Sequence, residues 1–249
     1  MDFNIYDIYS DASINLDHKL GCAGVAVVNR KTDQIVKTMY LVKEQATNNM
    51  CEIMGIWLAI YIANTMRYSE TLPFHINIFS DSQISLYGMR EWLPNWIRKR
   101  QKDTDILVSS TGLVANQEWF SDAYHMILMS GIKLKFWHQR GHIDTTNPNA
   151  LFRCDRSFRE SNPHSLHMIG LKPMTISKYN NYVDETSRDI INGILAGVPI
   201  GTMAISNIYT APQLPIGFHQ YDEIHIEQYL KQINGGLNYP IKFTNGGIK

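Results

Sequence analysis

Three apolar stretches stand in a row at the start of the chain, and the fourth has a different period. Phe3, Ile5, Ile8 and Tyr9 lead into Ser10 and Asp11, Cys22 to Val28 ends at Asn29 and Arg30, and Ile35 to Val42 is the third. The links carry Asn15, Asp17, Gly21, Lys31 and Asp33, so the spacing predicts hairpins and an antiparallel meander. From Met50 onward, Met54, Trp57, Leu58, Tyr61 and Ile62 recur at steps of three and four. That is a helix with an apolar face, capped by Thr47 or Asn48. His75 to Phe79 reads as a strand ending at Ser80-Asp81-Ser82. A helix from Gln83 to about Trp92, broken by Pro94, and a short basic helix from Asn95 to Lys102 follow. Asn116 to Met129 is helical, ended by Gly131, and Lys133 to Trp137 is a strand. This order predicts an α/β fold: a mixed five-stranded sheet, three antiparallel strands then parallel ones, flanked by helices.

Beyond that point the pattern fades. From Gln139 to Asn181, Asn147-Pro148-Asn149, Asn162-Pro163 and Lys172-Pro173 mark a long irregular segment. Tyr182 to Ala196 is helical again, and Glu223 to Gln232 is an amphipathic stretch with Asp222 as its capping residue. The 249 residues divide into a domain over 1–196, with an irregular insertion at about 143–180, and a C-terminal extension over 197–249.

Composition narrows the function. With 44% hydrophobic and 18% charged residues the chain can fill a core, which excludes wholesale disorder. Lys+Arg and Asp+Glu are both 23, so any site for a polyanion must be local. The longest apolar run, Ile53 to Ala63, falls short of the roughly 18 residues a membrane helix needs. No basic region precedes an apolar stretch at the N-terminus, so no secretory signal is expected. Cys22, Cys51 and Cys154 are an odd, widely spaced set that predicts a reducing compartment, taken as the cytoplasm.

The acids are the informative feature. Asp11 ends the first strand, Asp81 ends the fourth, and Glu52 falls in the first turn of the apolar helix. Each alone is an ordinary turn, cap or dipole residue. Three converging beside a buried sheet repel, and a divalent cation removes that conflict. Oxygen ligands without clustered His or Cys point to magnesium or manganese. His138, His142, Cys154, His164 and His167 fit no familiar zinc spacing.

These residues resemble type 1 ribonuclease H. Ser10-Asp11-Ala12-Ser13 is similar to the family's Asp-Gly-Ser turn, Thr47-Asn48-Asn49-Met50-Cys51-Glu52 to its Thr-Asn-Asn-x-x-Glu, and Ser80-Asp81-Ser82-Gln83 to its Asp-Ser-Gln motif. Glu91 to Lys99 resembles the basic handle helices, Val114 to Trp119 the next helix start, and Gly141-His142 the opening of the active-site flap. Two departures stand out. Ala12 replaces a glycine that permits close backbone approach. The fourth carboxylate has two candidates, Asp155 and Asp184. Asp184 is preferred because Asn180 stands four residues before it at a helix start, and Asp155 remains the alternative.

The resemblance implies a ribonuclease H-like fold and an endonuclease that hydrolyses the RNA strand of RNA–DNA hybrids. It implies that Asp11, Glu52, Asp81 and Asp184 hold two magnesium ions, about 3.5–4 Å apart in such sites, with manganese as a substitute. The products would be 5′-phosphate and 3′-hydroxyl ends. His142 would assist proton movement or product release. Ser13, Thr47, Asn48, Asn49 and Gln83 would contact the two strands near the cut, where the 2′-hydroxyl marks RNA. From the residues themselves, Arg90, Arg98, Lys99, Arg100 and Lys102 against Glu91 form a local cationic face. Arg98 and Lys99 with Trp96 are read as substrate contacts and Trp92 as a core residue. Other readings are a DNA-cutting nuclease of the same fold and a non-catalytic hybrid-binding module.

Overall fold

The structure is a computed structural model, and it describes residues 4–69, 74–101, 104–162, 173–198 and 223–233. Lys102, His164, His167, the cap at Asp222 and most of the 197–249 extension lie outside the described residues.

The meander forms as predicted: β1 (Asn4–Asn15), β2 (Leu20–Asn29) and β3 (Gln34–Glu44) pair antiparallel. α1 (Asn48–Ser69) leads to β4 (Phe74–Ser80), which pairs parallel with β1. Next come α2 (Gln83–Tyr87), a π turn (Gly88–Trp92), α3 (Leu93–Lys99), a small hairpin of β5 (Val108–Ser109) and β6 (Gly112–Leu113), and α4 (Gln117–Ser130). β7 (Leu134–His138) completes the sheet parallel to β4, in the order β3-β2-β1-β4-β7. α5 (Pro148–Ser161), α6 (Pro173–Leu195) and α7 (Glu223–Ile233) follow. The five-stranded mixed sheet of the sequence reading is present.

Three expectations are corrected. Asp11 does not end β1, because the β1–β2 ladder runs on to Asn15↔Leu20. It lies one residue past Ser10↔Ser80, where the parallel β1–β4 ladder stops. Pro94 does not break the helical path. The π turn passes the Leu93 N–H to the Gly88 carbonyl, and Pro94 falls in the first turn of α3, where no N–H is needed. The segment read as irregular contains α5 and the part of α6 up to Asn181. Asn147 caps α5 by accepting from the N–H groups of Asn149 and Ala150, and Pro148 takes the first helical position. Asn-Pro-Asn here is a helix start, not a turn.

The sheet is covered on both faces. α1 packs on one, with α4, α2, α3 and α7 behind it, in a core containing Ile8, Val25, Met54, Leu58, Ile78, Trp119 and Tyr229. α6 packs on the other, on a core of Tyr9, Phe79, Trp137, Tyr179 and Val183. Among the described residues no helix is long and apolar enough to cross a membrane. Cys22, Cys51 and Cys154 are free and buried.

α6 approaches so closely because β2 carries glycine beneath it. A Cβ on Gly24 would stand 2.7 Å from Ser187 Oγ of α6 and 2.7 Å from the Tyr40 ring. Gly24 is paired across the ladder with Asp11. Gly24→Ala should therefore push α6 outward and cost about 1–3 kcal/mol. Thermal unfolding should read this as roughly 2–4 °C of lost Tm per kcal/mol. An unchanged Tm would mean that the α6 packing is not tight.

Candidate active site

The notch where β1 and β4 part gathers the acids. Asp11 projects from β1, Asp81 follows the last residue of β4, and Glu52 reaches in from the second turn of α1 rather than the first. One carboxylate oxygen from each lies within 4.8 Å of the other two. Asp11 is only 4% exposed. In open α/β sheets, ligands sit at the carboxyl ends of parallel strands, where this notch is.

The electrostatics are those of crowded like charges in a dry place. Burial, then Asp81 and Glu52, push the Asp11 carboxyl well above its ordinary range. Burial, with Asp81 and Asp184 beside it, pushes Glu52 up to about 8. Asp81 is raised by burial too, against an opposing effect from His142. Asp184, from α6, adds to the repulsion on all three. Glu52 Oε2 and Asp81 Oδ1 are buried without a hydrogen-bond partner. Orphaned oxygens of acids this close fit a hard divalent cation held by oxygen ligands.

A surrounding layer fixes the acids. The Ala12 N–H donates to Asp11 Oδ1 at 2.7 Å, and Asn180 Nδ2 donates to Oδ2 at 3.0 Å. Asn180 is held in turn by Gln139, whose N–H donates to the Ser80 carbonyl at 3.0 Å. Gly141 lies against Asp81 so closely that a Cβ there would meet Asp81 Oδ2 at 1.9 Å, so any larger residue would displace the Asp81 carboxylate. His142 has a left-handed backbone (φ 51°), and its side chain is 70% exposed. Its Nδ1 is 3.2 Å from Asp184 Oδ2, the oxygen that also accepts from Arg188 at 2.7 Å. The backbone of the flap is tied to α6 by Asn181 Nδ2, which donates to the Ile143 carbonyl.

The two fourth-acid candidates separate. Asp184 is 7% exposed and near enough for its charge to act on the other acids, although it stands outside the trio whose oxygens lie within 4.8 Å of one another. Asp155 lies on α5, paired with Arg159 four residues on. Among the described residues, those considered for zinc also diverge. His138 faces the Asp81 carbonyl, Cys154 faces Ser177 and His142 faces Asp184.

Beside the notch runs a groove of about 600 Å³. Asn49, Trp92, Asn95, Trp96 and Lys99 line it, with Ser109 to Thr111 and Asn116 opposite. Trp92 is thus not a core residue: it is 37% exposed and lines the groove, while Trp96 packs edge-on against Phe120. Thr47 caps α1, accepting from the Met50 N–H at 3.3 Å. Asn48 and Gln83 are exposed near the notch ends of α1 and α2, and Ser13 lies two residues past Asp11, paired with Cys22. Arg98 does not line the groove. Its guanidinium is held by Glu223 of α7, with Nε at 2.9 Å from Oε2.

Gln139 and Arg188 are not singled out by the sequence as members of this site, and Gly141 is read there only as the glycine that opens the flap.

The family model for RNase H matches residues 4–161, a range that holds Asp11, Glu52, Asp81 and His142, and Asp155, but not Asp184. The ribonucleases H of Bordetella pertussis and Bordetella bronchiseptica are each 33% identical over 85 residues, 34% of this chain and 50% of the relative. The chain thus spans about half the length of these curated relatives. The crystal structure of LC9-RNase H1, a type 1 RNase H with the type 2 active-site motif, aligns at 17% identity over 65% of this chain and 75% of that one, with a TM-score of 0.43. The matched range covers more than half of the sequence and carries the sheet, α1 and the acidic notch: the chain belongs to the RNase H family.

Proposed function

We propose that the protein hydrolyses the RNA strand of RNA–DNA hybrids at the acidic notch, leaving 5′-phosphate and 3′-hydroxyl ends. The observation that carries this reading is the convergence of Asp11, Glu52 and Asp81, the last two with an orphaned oxygen each, at the end of a family-typical sheet. Two magnesium ions held by these acids and Asp184 would activate the attacking water and neutralise charge on the leaving 3′-oxygen. Manganese has the same ligand preference and would substitute.

The chain's own residues then divide the work. Asn180 and the Ala12 N–H orient Asp11, so its carboxylate is presented in one geometry. Arg188 and His142 share one oxygen of Asp184, which leaves the other for the notch. His142, on the exposed flap, can accept a proton or release Asp184 as product leaves. The groove supplies stacking faces from Trp92 and Trp96 and a cation from Lys99 for one strand's backbone. Asn48, Asn49, Gln83 and Ser13, with Thr47 at the helix start, would read the strands beside the cut. The catalytic domain is assigned to 1–196, with α7 of the 197–249 extension in its core. The free, buried cysteines agree with a cytoplasmic setting.

The test is cleavage of matched RNA–DNA and DNA–DNA duplexes in magnesium. RNA-strand cleavage of the hybrid alone is expected, and cleavage of the DNA duplex would favour a DNA nuclease of this fold. Asp81→Asn should abolish turnover while thermal unfolding stays cooperative. Asp184→Asn should lower turnover at least about 100-fold. Asp155→Asn removes one exposed pair and should change it less than about threefold. The reverse ranking would move the fourth ligand to α5.

The raised carboxyls also make stability depend on pH and metal. The Glu52 carboxyl titrates near 4.5 when exposed and near 8 in the fold. Between those values the folded state holds more protons than the unfolded chain. The contribution of Glu52 to metal-free stability is therefore full below about 4.5 and is lost as pH rises through about 8. Magnesium or manganese should raise Tm strongly at pH 8 and weakly at pH 5, where protons compete. Equal stabilisation at both values would place the cation elsewhere.

A further inference from the structure

α7 braces the groove helices from behind at two points. It follows the family-matched range in sequence, yet Ile226, Tyr229 and Ile233 are buried in the main core. The Tyr229 ring lies 4.6 Å from that of Tyr124 on α4. Its hydroxyl reaches the π turn and donates to the Met89 carbonyl at 2.6 Å. A π turn leaves the helical hydrogen-bond pattern out of step, so a carbonyl there can be taken by a side chain. At the other end of the same helical path, Glu223 grips the Arg98 guanidinium with both oxygens. Between these points stand Trp92, Asn95 and Trp96, with Lys99 just beyond Arg98, all four lining the groove.

The helical geometry separates the two jobs. At 100° per residue, Trp92, Asn95, Trp96 and Lys99 share one face, and Arg98 projects from its flank. The Arg98 charge is spent on α7, while the groove face stays clear.

We propose that α7 positions the groove helices for the substrate. Tyr229 fixes the π turn and Glu223 fixes the end of α3, so that the two tryptophans and Lys99 present a rigid face to the nucleic acid. Both are positioning residues, and neither touches substrate. The inference rests on the reading of the groove as the binding face for one strand of the hybrid.

Two variants test it, Tyr229→Phe and Glu223→Ala, each read by amide hydrogen exchange over residues 88–99 and by KM and kcat on a magnesium-loaded RNA–DNA hybrid. Tyr229→Phe strands a buried carbonyl, so exchange there and KM should each rise about tenfold. Glu223→Ala is an exposed change that cannot unfold the core, and its effects should be about threefold in the same direction. In both, kcat should move less than about twofold. A fall in KM for Glu223→Ala would overturn the proposal, because Glu223 would then be shielding Arg98 from phosphate. Unchanged exchange and KM in Tyr229→Phe would overturn it as well, as would a loss confined to kcat. If the wild-type protein turns over no hybrid, the functional reading falls, and the exchange data still decide whether α7 holds the helices.

Discussion

Repulsion among buried carboxylates is the constraint around which this molecule is arranged. β1 shows it on a single strand. Asp7 and Asp11 lie four residues apart and both are buried. Asp7 is closed off as a structural group: Arg30 binds it with two nitrogens, and Asn77, itself held by Trp137, donates to it at 3.0 Å. Asp11 receives two neutral donors and faces Glu52 and Asp81 instead of a cation. A fold that gives one buried acid an arginine and denies it to the other keeps a place for a positive charge from outside.

Holding that conflict in place takes most of the architecture. The notch exists because the parallel β1–β4 ladder stops at Ser10↔Ser80 while β1 continues with β2. α1 enters the core on Gly55, where a Cβ would stand 2.6 Å from Ser10 Oγ, and so Glu52 can reach the strand ends. α6 closes the opposite face over Gly24 and contributes Asn180 and Asp184. The flap sits on Asp81 through Gly141. Each glycine removes a Cβ where two elements must touch, and each contact bears on an acid. Helices and the small hairpin line the groove, whose aromatic face is braced by α7.

Much of this was legible in the sequence, where local rules agree. The meander, the apolar α1 and the acids beside strand ends followed from period and turn residues, and the family motifs added Asp184 through Asn180. The misreadings have physical causes. Asn147-Pro148-Asn149 has the composition of a turn, and only the hydrogen bonds to Asn149 and Ala150 show it capping a helix. Trp92 reads as a core residue because tryptophan is usually well buried, but it stands beside Trp96 on the groove face. The partner of Arg98 is a separate matter: charge counted along the chain gives Arg98 as a nucleic-acid contact, and Glu223, which pairs with it, lies 125 residues away and out of sight of that count. Gln139 and Arg188 act through long-range or side-chain geometry that composition does not encode.

Calorimetric titration of manganese into the metal-free protein at pH 7, in buffers of different ionisation enthalpy, addresses the acidic notch itself. With Glu52 near 8 in the fold, cation binding must expel a proton, so the apparent enthalpy should vary with buffer, and Glu52→Gln should weaken binding and remove most of that variation. Binding that releases no proton and is indifferent to Glu52→Gln would contradict a metal site formed by these acids.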